Sequence, residues 1–459
     1  MKRLLLVLGT VIYIVAFLWG YVEVVVPFFS STGFTFHWPG WPVIGWATFL
    51  SLIPLTILPI RLRKPSILIL WWLYITAYVP SMLMPVVTIA IPDRTLMPLQ
   101  IWVLGTMLLL CLVPHAKTLV LPQISISPSL FWWIVGLSWA ACLVFSLATI
   151  SPSQVLANFA LLISGESEYL IRSDFENQAG QSGIPIGYIV RLLSQALDPF
   201  LMAYGLLSRR WWLLVAGIFG QIVYFGQVGM KEVVASTFLI VVVYLMLKRP
   251  LHSFGLVLLA GATGIVVVST VVDSATNTAL LSTQFTRRSI AGPGQLTGFY
   301  FEHYSTAPHP GHNFTGSGSF DRYGPPREIG LYYFGSANVD ANASFWAEGF
   351  AEYGIPGIVG FALVLASMLW IYDSIAARRS LLLAVLLSIT VADALANSSP
   401  LTVLVTHGGV AIGLLLYFAP HPQLHSVTPR LWGSLRRSPL SGLRGSRLHS
   451  IARSTSLYN

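Results

Sequence analysis

Glu348 and Glu352 stand four residues apart in SANVDANASFWAEGFAEYGIPGIVG, with Ser344 four residues further back. That spacing puts all three on one face of a helix. Asn342 or Ser344 can cap its start, and Gly354 followed by Pro356 can stop it, so about three turns are expected between them. A carboxylate in a partly desolvated cleft gains proton affinity and can act as a general base. The plainer alternative is an interfacial helix with its acids in water and Phe345, Trp346, Phe350 and Tyr353 in the headgroup belt. Asp340 lies just upstream. His303, beside Glu302 in FEHYSTAPHPGHNF, offers another base or a sugar contact. The spacing of His303, His309 and His312 among Pro308 and Pro310 fits no metal-ligand signature, so no metal is expected.

Cations suited to an anionic substrate also stand out. Arg287 and Arg288 in STQFTRRSIAGPG are adjacent guanidinium groups of the kind that bind phosphate or carboxylate, with Arg322 and Arg327 further along. The alternative is that they pair with Asp321, Glu328 or Asp273 inside a folded loop. Arg191 and Asp198, in GYIVRLLSQALDPFLMAYG, are seven apart and so share nearly one helix face. Lys231 and Glu232 follow two glycines in GQVGMKEVVAS. Charges of this kind inside apolar sequence face a cavity or one another.

The elements that must position these residues are membrane helices. Mean hydropathy is +0.72, with 55% hydrophobic and only 9% charged residues among 459, well outside the soluble range. Apolar spans are expected at 4–26, 41–60, 66–91, 96–113, 130–150, 184–207, 211–229, 232–247, 253–272, 354–373, 380–396 and 401–419. The expected fold is therefore an all-α polytopic membrane protein with about twelve transmembrane helices. The first span reads as an uncleaved signal anchor, because no small-residue cleavage site follows it. With both termini cytoplasmic, Lys2 and Arg3, RLRK (61 to 64), Lys117, Arg209 with Arg210, Lys248 with Arg249, and Arg378 with Arg379 all fall on the inner side. The net charge of +9 is then a topology signal rather than a nucleic-acid footprint.

The resulting organisation is a nine-span region (1–272) with an outer loop at 151–183, a large outer loop (273–353), a three-span region (354–420) and a basic cytoplasmic tail (421–459) attracted to anionic membrane lipid. The large loop is rich in Tyr, Phe, Gly and Pro without low-complexity runs, which argues for a folded, functional segment. Cys111 and Cys142 lie in apolar runs and read as packing residues. The sequence contains no phosphate-binding Walker motif, dinucleotide fingerprint or zinc-protease helix.

At GQVGMKEVVASTFLIVVVYLMLK and NVDANASFWAEGFAEYGIPGIVG the chain resembles the bacterial oligosaccharide repeat-unit polymerases, the Wzy-type O-antigen polymerase family, chiefly over residues 225 to 370. The shared features are a glycine and a basic residue heading a mid-chain span, a large outer loop, and an Asn-rich, acidic, aromatic and glycine-bearing entry to a late span. The resemblance implies a GT-C-like membrane glycosyltransferase in the bacterial cytoplasmic membrane. Such an enzyme transfers a growing glycan from undecaprenyl diphosphate to an incoming lipid-linked oligosaccharide. It needs no nucleotide-sugar site and no cofactor, and a chain-length regulator protein is a possible partner. For that reaction Arg287, Arg288, Lys231, Arg191 and Arg172 are the candidates to hold diphosphate. His303, Asp340, Glu348 and Glu352 are the candidate bases, and Tyr300, Tyr304 and Trp346 the candidates to stack on sugars. An O-antigen ligase-like transferase uses the same donor. A lipid-linked oligosaccharide flippase is the rival from another class, for which internal pseudo-symmetry is expected and no convincing repeat is found.

Overall fold

Apolar runs of about 20 residues leave the backbone one economical way to satisfy its hydrogen bonds in lipid, which is to coil into helices. The computed structural model describes residues 1–89, 91, 93–122, 124–163, 171, 174–175, 178, 186–229, 231–248, 253–309 and 324–421, and all regular structure among them is helical. Seven of these helices are long and apolar enough to cross a membrane: α1 (Lys2–Thr32), α3 (Pro65–Thr88), α4 (Thr95–His115), α5 (Pro128–Thr149), α8 (Trp211–Val228), α10 (Phe254–Thr276) and α14 (Ile355–Ala376). The chain is thus a helical membrane protein. Shorter apolar helices occupy α2 (Trp41–Thr56), α15 (Leu381–Ala396) and α17 (Gly409–Phe418), while α9 (Lys231–Leu247) is apolar from Val234 onward. Polar interruptions distinguish the remaining helices. They are α6 (Pro152–Ile163), α7 (186–208), α11 (Gly292–Tyr304), α12 (Pro325–Phe334), α13 (Phe345–Tyr353) and α16 (Pro400–Val405).

One end of the bundle is fastened by its basic residues. The Arg3 guanidinium donates to the Leu55 carbonyl, Lys64 Nζ to Ala116 at 2.7 Å and Arg378 Nη1 to Leu121 at 2.7 Å. At the same end Asp373, from the last turn of α14, accepts from Ser66 N at 3.0 Å and Ser66 Oγ at 2.6 Å, capping α3 across the bundle. Cys111 and Cys142 are both buried.

Two expectations need correcting. The segment 401–419 is not one span. It is α16 and α17, separated at 406–408, where Gly408 takes φ +74° with its α-carbon face against Ala196. Arg191 and Asp198 do not form an intramembrane pair either. A π-helical turn, Leu193–Leu197, intervenes in α7, and the fully buried Asp198 instead accepts from Trp139 Nε1 at 2.8 Å and from Gln221 Nε2 at 3.5 Å. Gly217 and Gly220 of α8 leave room for it.

The segment expected to be a large outer loop is largely helical and returns into the bundle. After α10 the chain turns back, so that Thr286 lies beside Ser269, their hydroxyls 3.5 Å apart. Here it forms a π-helical stretch, Thr283–Ala291, packed on residues 21–25 of α1 and 74–78 of α3. This stretch runs without a break into α11, which climbs beside the second half of α3. Gly294 lies on the Pro80 carbonyl and Gly298 on Pro85 and Ile89. Small residues four apart permit that approach, which a β-carbon would block.

Candidate functional site

The site is built on three helices, α11, α12 and α13, at the end of the bundle opposite Arg3, Lys64 and Arg378. Helix α13 lies alongside α11 in parallel register. Ser344 meets Thr297 with their hydroxyls 3.0 Å apart, Thr297 also accepts from Ser81 Oγ of α3 at 3.1 Å, and Tyr300 donates to the Ala341 carbonyl at 3.1 Å. Ser344 holds the N-cap position, as expected from the sequence, but its hydroxyl turns to Thr297 instead of capping the helix. The predicted stop is also present. Gly354 takes φ +65°, ψ −147°, a conformation almost confined to glycine, and α14 starts at the next residue. The two helices then fold onto each other through Gly349 and Gly357, where an added β-carbon would come within 2.6 Å and 1.8 Å of the facing carbonyl oxygen.

Helix α12 runs antiparallel to α11. Glu328 takes His303 Nε2 on one oxygen at 2.8 Å and the Tyr304 hydroxyl on the other at 2.9 Å. Tyr333 stacks on Phe299, ring centroids 4.0 Å apart, and donates to Glu302 at 2.6 Å. Burial, reinforced by Glu328 for Tyr304 and by Glu302 for Tyr333, pushes both phenols far above the usual tyrosine range. His303 is wedged between the rings of Tyr304 and Tyr332, at 4.8 Å and 4.9 Å. A neutral His303 donating its Nε2 proton to Glu328 carries its lone pair on Nδ1, the tautomer a base needs.

The sequence-predicted bases divide sharply. Glu352 is buried and Glu348 half-buried on α13, and both, like Asp340, lie close enough to Tyr300 for their charges to act on it. His303 joins them through Tyr304. Asp340, in contrast, is 46% exposed and holds Arg327 Nε at 3.0 Å, a surface ion pair outside any desolvated cleft. The proposed sugar platforms are also corrected. Trp346 and Tyr300 have 0% exposure and Tyr304 1%, so none offers a ring face to a sugar. Trp346 packs edge-on to Tyr78 with its Nε1 donating to Thr106 at 2.9 Å, which makes it a core anchor between α13, α3 and α4. His303 pairs with Glu328, not with its sequence neighbour Glu302.

Of the cations, Arg287 and Arg288 lie on the returning π-helical stretch, below the end of α10. The Arg287 guanidinium covers the Phe29 ring at 4.1 Å and the Phe34 ring at 5.6 Å. Asp273, a possible arginine partner by sequence, accepts from the backbone of Ser282 at 2.6 Å and Leu281 at 3.3 Å and so shapes the return. Arg191 is elsewhere, within electrostatic reach of His407 at the break between α16 and α17. Lys231 opens α9, but its side chain lies outside the described residues, as do Arg172, His312, Asp321 and Arg322. Glu328 is the site residue that sequence reasoning missed. Its one local sign is an acid in the first turn after Pro325 and Pro326, and its partners lie 24 and 25 residues away.

No protein-family model matches the chain, and neither a curated protein nor a solved structure matches it.

Proposed function

We propose that the chain is a membrane glycosyltransferase of the Wzy-type, GT-C-like kind. It polymerises undecaprenyl-diphosphate-linked oligosaccharide units at the outer face of the bacterial cytoplasmic membrane, with about twelve spans counting α7 and the four shorter apolar helices. Both termini are then cytoplasmic, because that orientation puts the basic clusters inside. The observation that carries the reading is the returning stretch. It returns Arg287 and Arg288 into the bundle beside α10 and leads directly into the helix that faces Glu348 and Glu352, so that one continuous element joins the cations and the acids on which the reading rests.

In this reading the arginines offset charge that builds on the departing diphosphate, an effect strengthened where water is scarce. The acceptor hydroxyl loses its proton to a carboxylate. The register of α13 on α11, with Ser344 beside Thr297, puts Glu348 a full turn nearer Arg288 than Glu352, and Glu348 is half-buried where Glu352 is buried. Glu348 is therefore assigned as the base, and the His303–Glu328–Tyr304 cluster as the brace that holds α12 against α11. Exposed Tyr332 and Tyr353 replace the buried aromatics as sugar contacts.

The test is the state of the carrier lipid in cells. Deletion of the gene should leave single, outward-facing units on the carrier, and Arg288→Ala or Glu348→Gln should reproduce that state with the protein still present. Long polymer on the carrier would indicate a ligase, and units trapped on the inner face a transporter. Either result would contradict the proposal.

A further inference from the structure

We propose that the groove between α14 and α17 is a binding site for an anionic phospholipid, with an acyl chain along its apolar length and the phosphate at Arg378 and Arg379. The groove encloses about 870 Å³ and is walled by Leu363, Ile371, Val410 and Leu414, each about half exposed. It adjoins a smaller cavity of about 220 Å³ lined by both arginines. Leu121, Pro122, Ile375 and Tyr417 line the two spaces jointly, so an apolar groove and a cationic mouth stand side by side. An amphiphile with a negative head matches both parts. Free phosphate would leave the apolar length unused, and a neutral lipid would leave the arginines unmatched.

The mouth is held in place. Tyr417 donates to the Pro122 carbonyl at 2.6 Å and accepts from Ile124 N at 3.2 Å, tying the chain after α4 across the end of α17. Arg378 gives one donor to Leu121, and the Arg379 guanidinium sits 5.8 Å from the Tyr417 ring. A guanidinium has five donors in a planar fork, so this anchoring still leaves capacity for phosphate. The nearest acid in sequence, Asp373, is committed with both oxygens to Ser66. Residues 422–459, which follow His421 in the sequence, contain arginines and no acidic side chain. The mouth also lies at the bundle end where Arg3 and Lys64 are anchored, the side on which anionic lipid attracts basic segments.

The experiment is native mass spectrometry of the full chain, released from detergent after titration with phosphatidylglycerol or phosphatidylcholine. The wild type should retain one more phosphatidylglycerol than Arg378→Gln/Arg379→Gln, whose half-saturation should rise at least tenfold. Leu414→Trp, which fills the groove and leaves both arginines, should lose the same lipid and decides the matter if the double variant does not fold. Equal retention of phosphatidylcholine, or unchanged phosphatidylglycerol in the variants, would overturn the proposal. So would displacement by millimolar inorganic phosphate alone, which would mean the mouth binds phosphate without the groove. Increased retention after removal of residues 422–459 would overturn it too, by making the tail the native occupant.

Discussion

Gly357→Ala adds a single methyl group, yet its β-carbon would lie 1.8 Å from the Gly349 carbonyl oxygen, where real contacts do not fall below 3.0 Å. A backbone oxygen cannot rotate away, so α13 and α14 must separate by more than about 1 Å, and overpacking of this kind costs about 1–3 kcal/mol. Alanine in a helix returns up to about 1 kcal/mol over glycine, so with a backbone oxygen as the clashing atom the net should be destabilising by up to about 2 kcal/mol. Gly360, three residues along the same helix, has nothing within 4 Å of its added β-carbon. Gly360→Ala should therefore be neutral or stabilising by up to about 1 kcal/mol. Denaturant unfolding in one detergent, followed by tryptophan fluorescence, should order the proteins Gly360→Ala, wild type, Gly357→Ala from most to least stable. Because α13 carries Glu348 and Glu352, Gly357→Ala should also lower transfer, by up to about a hundredfold for a shift near 1 Å. Equal stability of the two variants would refute the close crossing and, with it, the account of how the acids are positioned.

The buried phenols give a pH-dependent prediction. A tyrosine whose folded proton affinity is raised lends stability that is complete below its unfolded pKa, near 10, and is lost as pH climbs above that value. Absorbance titration should leave Tyr304 and Tyr333 protonated at about pH 11 until the protein unfolds, and Tyr304→Phe should move the alkaline midpoint of unfolding upward; an unchanged midpoint would count against the burial. Trp346→Phe should cost about 1–3 kcal/mol by removing the bond to Thr106 and leaving space in the core, while the apparent KM for lipid-linked substrate stays within about twofold. A large KM effect without a stability effect would restore Trp346 as a sugar contact.

Much of the fold was legible because lipid imposes a simple rule on long apolar runs. Each of the twelve expected segments contains helix, and the capped, glycine-terminated helix before α14 appears where Ser344 and Gly354 marked it. What was not legible depended on partners remote in sequence. Glycines in GPGQLTG read locally as loop, but against Pro80 and Pro85 of α3 they allow a helix to nest. Asp198 drew attention to Arg191 seven residues away, whereas Trp139, 59 residues distant, takes its carboxylate. The aromatics around Glu348 carried no sign of whether they faced substrate or core, since helical spacing alone distributes them without saying which side is covered. Glu328 reads in the sequence only as an arginine partner, because His303 and Tyr304 lie 25 and 24 residues away. The break before Gly408 was announced by THGG, but the apolar residues on either side outweighed it.

The most direct test of the central claim is transfer by the purified chain in vesicles supplied with outward-facing undecaprenyl-diphosphate-linked repeat units. The products should be resolved by the number of units per carrier. The account predicts carriers bearing two or more units for the wild type, and single units only for Arg288→Ala and Glu348→Gln. Single units throughout with the wild type, or unchanged polymer with either variant, would contradict it.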